Sequence, residues 1–227
     1  MATTKAQRIG ISIILVVTII GTLGSFAVMI LSTQNQAQQN AQYQKDYAQY
    51  QKDYQTYQTK LQAQNDQLSA QYYPVLNEYA AQVAPFDLNT AENGGIQTTD
   101  LLAGTGATVT DSSSFAAYYI GWLPSGKVFD QSISGGKLQA PLALTPTLAN
   151  AGVIDGWKEG MKGMKLGGVR IITIPSAKAY GENGSKDSSG QVVIPPNTPL
   201  KFLVLAVPTP PTIAQPTVPQ SLLQQGS

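Results

Sequence analysis

Hydrophobic and polar positions divide the chain into distinct zones. From Ile9 to Leu31 the sequence runs without a charge, with ISIILVVTII at its heart and Lys5 and Arg8 just ahead of it. At a helical rise of about 1.5 Å per residue, that run matches a hydrocarbon core of about 30 Å. The basic flank predicts a cytoplasmic N-terminus. A cleaved signal peptide would have an apolar core of about 7–15 residues and a small-x-small site soon after it; this run is longer and no such site follows at once. The expectation is a cytoplasmic tip (1–8), a single-pass signal anchor in the cell membrane (9–31) and everything later on the extracytoplasmic side.

The next zone, 32–73, is rich in Gln, Ala and Tyr. AQYQKDY at 41–47 recurs at 48–54, and QTYQTKL follows. Tyr43, Tyr47, Tyr50, Tyr54, Tyr57, Leu61 and Leu68 advance in steps of four and three, with Gln64 breaking the series. Such spacing lays one stripe along a helix with a coiled-coil period. The helix would be about 60 Å long and would stop at Pro74. Lys45, Asp46, Lys52 and Asp53 fall off the stripe and would be solvated. The stripe reads either as the seam of a self-associating stalk, giving a homo-oligomer, or as an aromatic surface for a ligand such as a glycan or peptide. A lone amphipathic helix against the neighbouring domain is a third reading. The regular spacing favours the seam.

Residues 74–93 form a connecting segment, with VLNEYAAQVA helical until Pro85. A globular domain follows over 94–207. Its expected strands are 96–102, 115–123, 127–131, 140–144, 169–174 and 200–207, with a Pro-Ser-Gly hairpin turn at 124–126. One helix is expected, 154–161, ended by Lys165-Leu166-Gly167-Gly168. The fold class is therefore α+β, a twisted antiparallel sheet wrapped around one short helix. In 169–174 and 200–207 apolar residues occupy both parities, as in strands buried on both sides. Something should cover the outer face: either residues 75–88, through Leu76, Tyr79, Val83 and Phe86, or a partner protein. The tail, 208–227, is proline-rich, uncharged and without periodicity, and is expected to be disordered.

Composition narrows the chemistry. The 227 residues carry a net charge of +1, which gives no field for nucleic acid. With no His and no Cys, His-based acid/base and triad catalysis, thiol nucleophiles, disulfides and most zinc sites are excluded. What remains is carboxylates, tyrosines, backbone groups and an apolar cavity. Asp155 and Glu159, four apart on the expected helix, read as a solvated face. The loop 181–190 lacks the spacing of calcium ligands and reads as a flap.

Several motifs stand in a telling order: YIGWL (119–123), a Gly-Lys-x-Phe-Asp hairpin (126–130), VIDGWKEG (153–160), KLGG (165–168), AYG (179–181) and VIPPNTPLKF (193–202). Together they resemble the FKBP-type peptidyl-prolyl isomerases, over roughly half of the chain and neither stalk nor tail. The resemblance implies an isomerase acting on Xaa-Pro bonds of exported polypeptides, with no cofactor and no metal. Carried over position by position, it implies that Tyr119, Asp130, Ile154 and Tyr180 are catalytic. Phe129, Val153, Trp157, Val193, Ile194 and Phe202 would then contact substrate. Trp157 would be the floor for a proline ring, and Tyr119, Phe129 and Phe202 the walls. The Ile154 N–H and the Tyr180 hydroxyl would meet peptide carbonyls. Leu142 stands where many members carry an aromatic residue, the segment 145–152 is longer than usual, and the flap has no aromatic or histidine tip. These departures bear on peptide preference and macrolide binding more than on fold. A non-catalytic proline-peptide chaperone or docking module is the alternative function.

Overall fold

A computed structural model describes residues 34–223, with side chains from residue 38. The expected tip and membrane anchor, 1–31, lie outside the described residues. No described helix is long and apolar enough to cross a membrane. The chain divides into two compact units, one comprising 58–213 and the other the chain up to Tyr57 together with 214 onward.

The larger unit is built on a six-stranded antiparallel sheet. Its strands are β1 (Gln97–Leu102), β2 (Phe115–Trp122), β3 (Val128–Gln131), β6 (Leu142–Leu144), β7 (Val169–Ile174) and β10 (Leu200–Val207). They run in the order β1-β7-β10-β2-β3, and β6 also pairs with β2. Two small hairpins join them: β4 (Ile133–Ser134) with β5 (Lys137–Leu138), and β8 (Ser185–Lys186) with β9 (Val192–Ile194). Each large strand lies within a residue or two of its expected range, because β-branched and aromatic runs bounded by Gly, Pro and Ser leave little choice of register.

The two faces of the sheet bury different sets of residues. Phe115, Ala117, Tyr119, Ile172, Ile174, Phe202 and Val204 face one core, which also takes Trp157 and Met161. Ala116, Tyr118, Ile120, Trp122, Val169, Leu203, Leu205 and Val207 face the other. This is the period of two at work, with both parities apolar because both faces are covered.

The first helix, α1 (Gln34–Glu78), covers the second face with its last turns, and the segment after it continues the cover. Pro74 does not end the helix; it lies inside it. Leu76 is fully buried against the sheet, with Tyr72, Tyr73, Val75, Tyr79, Val83 and Phe86 packed alongside. That packing outweighs the one backbone hydrogen bond a proline removes. The segment is also tied by polar contacts. Leu138 N donates to Ser69 Oγ (2.9 Å), Trp122 Nε1 to Ala84 O (3.0 Å) and Phe86 N to Pro124 O (3.0 Å). Lys201 Nζ stands 4.8 Å over the Phe86 ring. The outer face is thus closed by the chain itself rather than left for a partner. One polar atom is sealed in: the Tyr118 hydroxyl, beneath Tyr72, has no hydrogen-bond partner among the described residues. Burial, with Tyr72 a lesser cause, pushes its phenol up to about 12.

A short helix, α2 (Leu88–Asn93), capped by Asp87 accepting from Thr90 N, leads into β1. Glu92 on α2 accepts from both Ser176 N (2.9 Å) and Ser176 Oγ (2.6 Å), fastening this entry segment to the loop after β7.

The smaller unit holds α1 up to Tyr57 and the tail from residue 214. The tyrosines make successive ring contacts, Tyr43–Tyr47 at 6.3 Å and Tyr54–Tyr57 at 6.0 Å. The tail departs from the disorder expected of it. Its described part includes a helical turn, α4 (Gln220–Leu223), and Ser221 Oγ donates to Asp46 Oδ2 (2.6 Å). Gln215 Nε2 donates to Tyr57 Oη (3.3 Å). Within the larger unit, Gln64 Nε2 likewise donates to Pro211 O (2.8 Å). The contacts that fix the tail are thus polar and made by Gln64, Gln215 and Ser221, which composition alone does not register.

Candidate active site

The first core holds the remaining helix, α3 (Asp155–Met161), laid across β7. Its approach is set by two glycines. A Cβ on Gly156 would meet Ile174 Cγ2 at 2.2 Å, and one on Gly160 would meet Ile172 Cγ2 at 2.4 Å. Spaced four apart, they form one flat stripe that lets the helix backbone settle onto the strand. Trp157, next to the first glycine, is thereby held in the core at 3 % exposure.

Four aromatic rings meet there. Tyr119 lies edge-on to Trp157 at 5.3 Å, Trp157 edge-on to Phe202 at 5.4 Å, and Phe129 edge-on to Phe202 at 5.6 Å. Tyr119 and Phe202 are 6.4 Å apart. All are edge-to-face arrangements favoured by ring quadrupoles. Gly121 explains the Gly of YIGWL: a Cβ there would stand 2.7 Å from the Phe202 ring and 2.8 Å from the Phe129 ring. Val153, Ile154 and Val193 pack half-buried against this cluster, and Ile194 is buried in it.

The polar groups gather at one side. Tyr119 Oη donates to Asp130 Oδ2. Burial first, then Asp130 as hydrogen-bond acceptor and neighbouring charge, raise the Tyr119 phenol far above its ordinary value. Tyr180 stands at the rim, 39 % exposed. Its phenol is also raised, first by burial of its covered part and then by Asp130. Tyr119 feels Tyr180 as well, so the three groups share one electrostatic neighbourhood. The Ile154 backbone, extended at φ −60° and ψ 150°, begins α3, and its carbonyl accepts from Trp157 N (3.0 Å). Its own N–H donates to no protein acceptor among the described residues. The ten positions named from the sequence therefore converge on one place between helix and sheet. The metal-ligating residue types form no group that could hold an ion among the described residues.

A family model described as FKBP-type peptidyl-prolyl cis-trans isomerase matches residues 106–206. The FK506-binding protein of Neisseria meningitidis serogroup B is 40% identical over 111 residues, which are 49% of this chain and 93% of that protein. The chain belongs to the FKBP family. It carries an FKBP-type peptidyl-prolyl cis-trans isomerase domain. Similarity extends to the chloroplastic peptidyl-prolyl cis-trans isomerase FKBP13 of Arabidopsis thaliana, 35% identical over 48% of this chain and 52% of that one. The solved structure of AtFKBP13 is 32% identical over 52% of this chain and 96% of its own, with a TM-score of 0.45.

Sequence reasoning passed over two residues that position this FKBP site. Arg170, a lone charge in the apolar strand VRIITI, is buried and caps the C-terminal end of α3. Its Nη1 donates to Gly160 O (2.9 Å) and Lys162 O (3.0 Å). Its Nε and Nη2 grip Asp100 in a fork (2.6 and 3.0 Å), and that grip is the first cause holding the Asp100 carboxyl below its usual range. The signal was present: a charge at an inward parity of a two-sided strand demands partners. Ser132 fixes Tyr119 from the backbone side. Tyr119 N donates to Ser132 Oγ (3.0 Å), and Ser132 N to Tyr119 O (2.8 Å). The expected flap takes the form of the β8–β9 hairpin, pinned by Asp187 Oδ1, which accepts from Ser189 N (2.9 Å) and Gln191 N (3.0 Å).

Proposed function

We propose that this FKBP domain isomerises Xaa-Pro bonds of exported polypeptides, at the ring cluster between α3 and the sheet, while residues 9–31 hold it to the membrane from outside the cytoplasm. The observation that carries the catalytic part is the joint packing of Tyr119, Phe129, Trp157 and Phe202 with one carboxylate, Asp130, anchoring Tyr119.

The chemistry follows from the amide. Resonance holds the bond planar behind a barrier of about 20 kcal/mol. Twisting removes that resonance and makes the carbonyl less polar. An apolar, water-poor surface of rings favours the twisted form over the planar one. Trp157 supplies the floor for the pyrrolidine ring, with Phe129, Val153, Val193, Ile194 and Phe202 around it. The Ile154 N–H and the Tyr180 hydroxyl donate to peptide carbonyls. Tyr119, a neutral phenol, donates to Asp130 and is held by it in the orientation that shapes the wall. Donors placed for the twisted geometry stabilise it selectively. No bond to the protein forms and no proton leaves the substrate.

A protease-coupled cis/trans assay on a short proline peptide tests this with the full chain. The reading requires acceleration by the wild type and a clear loss in Tyr180→Phe. Tight peptide binding without acceleration would instead make the domain a proline-peptide holdase. The anchor is tested separately: in intact cells, external protease should remove the domain while residues 1–8 stay protected.

A further inference from the structure

We infer that the tyrosine stripe of α1 is a docking surface for extended proline-rich polypeptide, occupied in cis by the chain's own tail. The stripe has the marks of a covered surface. Tyr43, Tyr47, Tyr50, Tyr54 and Tyr57 are all half-buried, whereas Lys45, Gln49, Lys52 and Thr56 between them are exposed. Burial raises the phenols of Tyr43 and Tyr50.

The tail carries the complementary pattern. Pro216, Pro219 and Leu222 are half-buried, at every third residue, and of the residues between them all but Ser221 are exposed. From residue 208 to 219 the backbone is neither helix nor strand. A repeat of three is the turn of a polyproline II helix, which presents one edge at that interval. Direction and length agree as well. Gln215 meets Tyr57 and Ser221 meets Asp46, so the tail runs antiparallel to the helix. The 11 residues from Asp46 to Tyr57 rise about 17 Å. The four steps from Gln215 to Pro219 cover about 12 Å as polyproline II, and the two on into α4 add about 3 Å. Neither the rings nor the tail bring a charge.

Polyproline II segments dock on aromatic surfaces because little chain entropy is lost on binding and each proline offers a flat apolar face. The ligand class is therefore an uncharged extended chain with proline or an aliphatic residue at every third position. The stripe that spacing alone would assign to self-association is already covered within one chain.

The absence of cysteine makes a direct test simple. In the full chain, Asp46→Cys with Ser221→Cys is treated with a short bis-maleimide. Cross-linking within one molecule should be about tenfold faster than for Asp46→Cys with Gln215→Cys, reflecting the local concentration that docking imposes. Replacing Tyr43, Tyr47, Tyr50 and Tyr54 by Ala should abolish that advantage, and replacing them by Phe should preserve it. A chain ending at residue 207 should bind a labelled peptide of residues 208–223 about tenfold more tightly than the full chain does. Equal rates for the two cysteine pairs, or cross-links chiefly between copies, would overturn the inference. So would a truncated chain that ignores the peptide.

Discussion

Successive residues of β10 work on opposite sides of the sheet, and the two sides differ in kind. Phe202 and Val204 face the core that holds Trp157, whereas Leu203 and Leu205 face the end of α1. On the first side four rings, a hydrogen-bonded tyrosine–carboxylate pair and a backbone N–H without an acceptor among the described residues are gathered around a helix whose C-terminal carbonyls Arg170 binds. On the second the packing is closed, with Leu76 at its centre and Trp122 and Ser69 tied into backbone hydrogen bonds. One face gathers its apolar residues around the proposed site, and the other uses them to seal the sheet. Catalysis and stability should therefore separate by parity.

The largest effect should come from removing the cover. Deleting 75–88 exposes Trp122, Leu203, Leu205 and Val207, and should give aggregation or a non-cooperative melt; an unchanged melting temperature would show that the second face needs no cover. Next in size is Arg170→Met, which strips Asp100 of its partner and leaves the Gly160 and Lys162 carbonyls unpaired. Destabilisation of about 3 kcal/mol is expected, with kcat/KM falling as α3 loosens. Intact activity at that loss would detach α3 from the site.

Leu76→Ala sharpens the contrast, with an expected loss of about 2–4 kcal/mol by chemical denaturation and no change in kcat/KM of the folded fraction. Asp130→Val is its mirror, lowering kcat/KM about tenfold with stability within about 1 kcal/mol. The smallest effect is a pH dependence. The Tyr118 and Tyr119 phenols are raised above the ordinary value of 10.0, so the folded state favours their protonated forms. Their contribution is whole below pH about 10, where both folded and unfolded phenols are protonated, and is lost as pH rises toward the folded values. Tyr118→Phe should keep stability at neutral pH, relieve the unpaired hydroxyl and flatten the alkaline loss in urea titrations. At the acid end, Asp100 contributes stability above pH about 4 that fades as pH falls through its depressed pKa, and the Arg170 variant should lack that slope.

The legible part of the chain was its alternation and its motifs. Apolar residues at both parities in 169–174 and 200–207 announced two covered faces, and Leu76, Tyr79, Val83 and Phe86 were identifiable as the cover. The residues that meet between α3 and the sheet could be named because their order along the chain is specific, although any one of Trp157, Phe129 or Ile154 alone reads as plain core. Other features escaped because they depend on distant partners. Pro74 reads as a stop until Leu76 has a sheet to pack on. Arg170 reads as a stray charge until Gly160 O, Lys162 O and Asp100 surround it. The tail reads as disordered until Gln215 meets Tyr57 and Ser221 meets Asp46. Gly156 and Gly160 look like helix weakeners, and their use appears once Ile172 and Ile174 are seen against them.

The most direct measurement is kcat/KM on a proline peptide, taken with denaturation curves, for wild type, Asp130→Val and Leu76→Ala. The account predicts an active wild type, a catalytic loss without destabilisation in Asp130→Val, and destabilisation without catalytic loss in Leu76→Ala. An inactive wild type, or equal catalytic losses in the two variants, would contradict it.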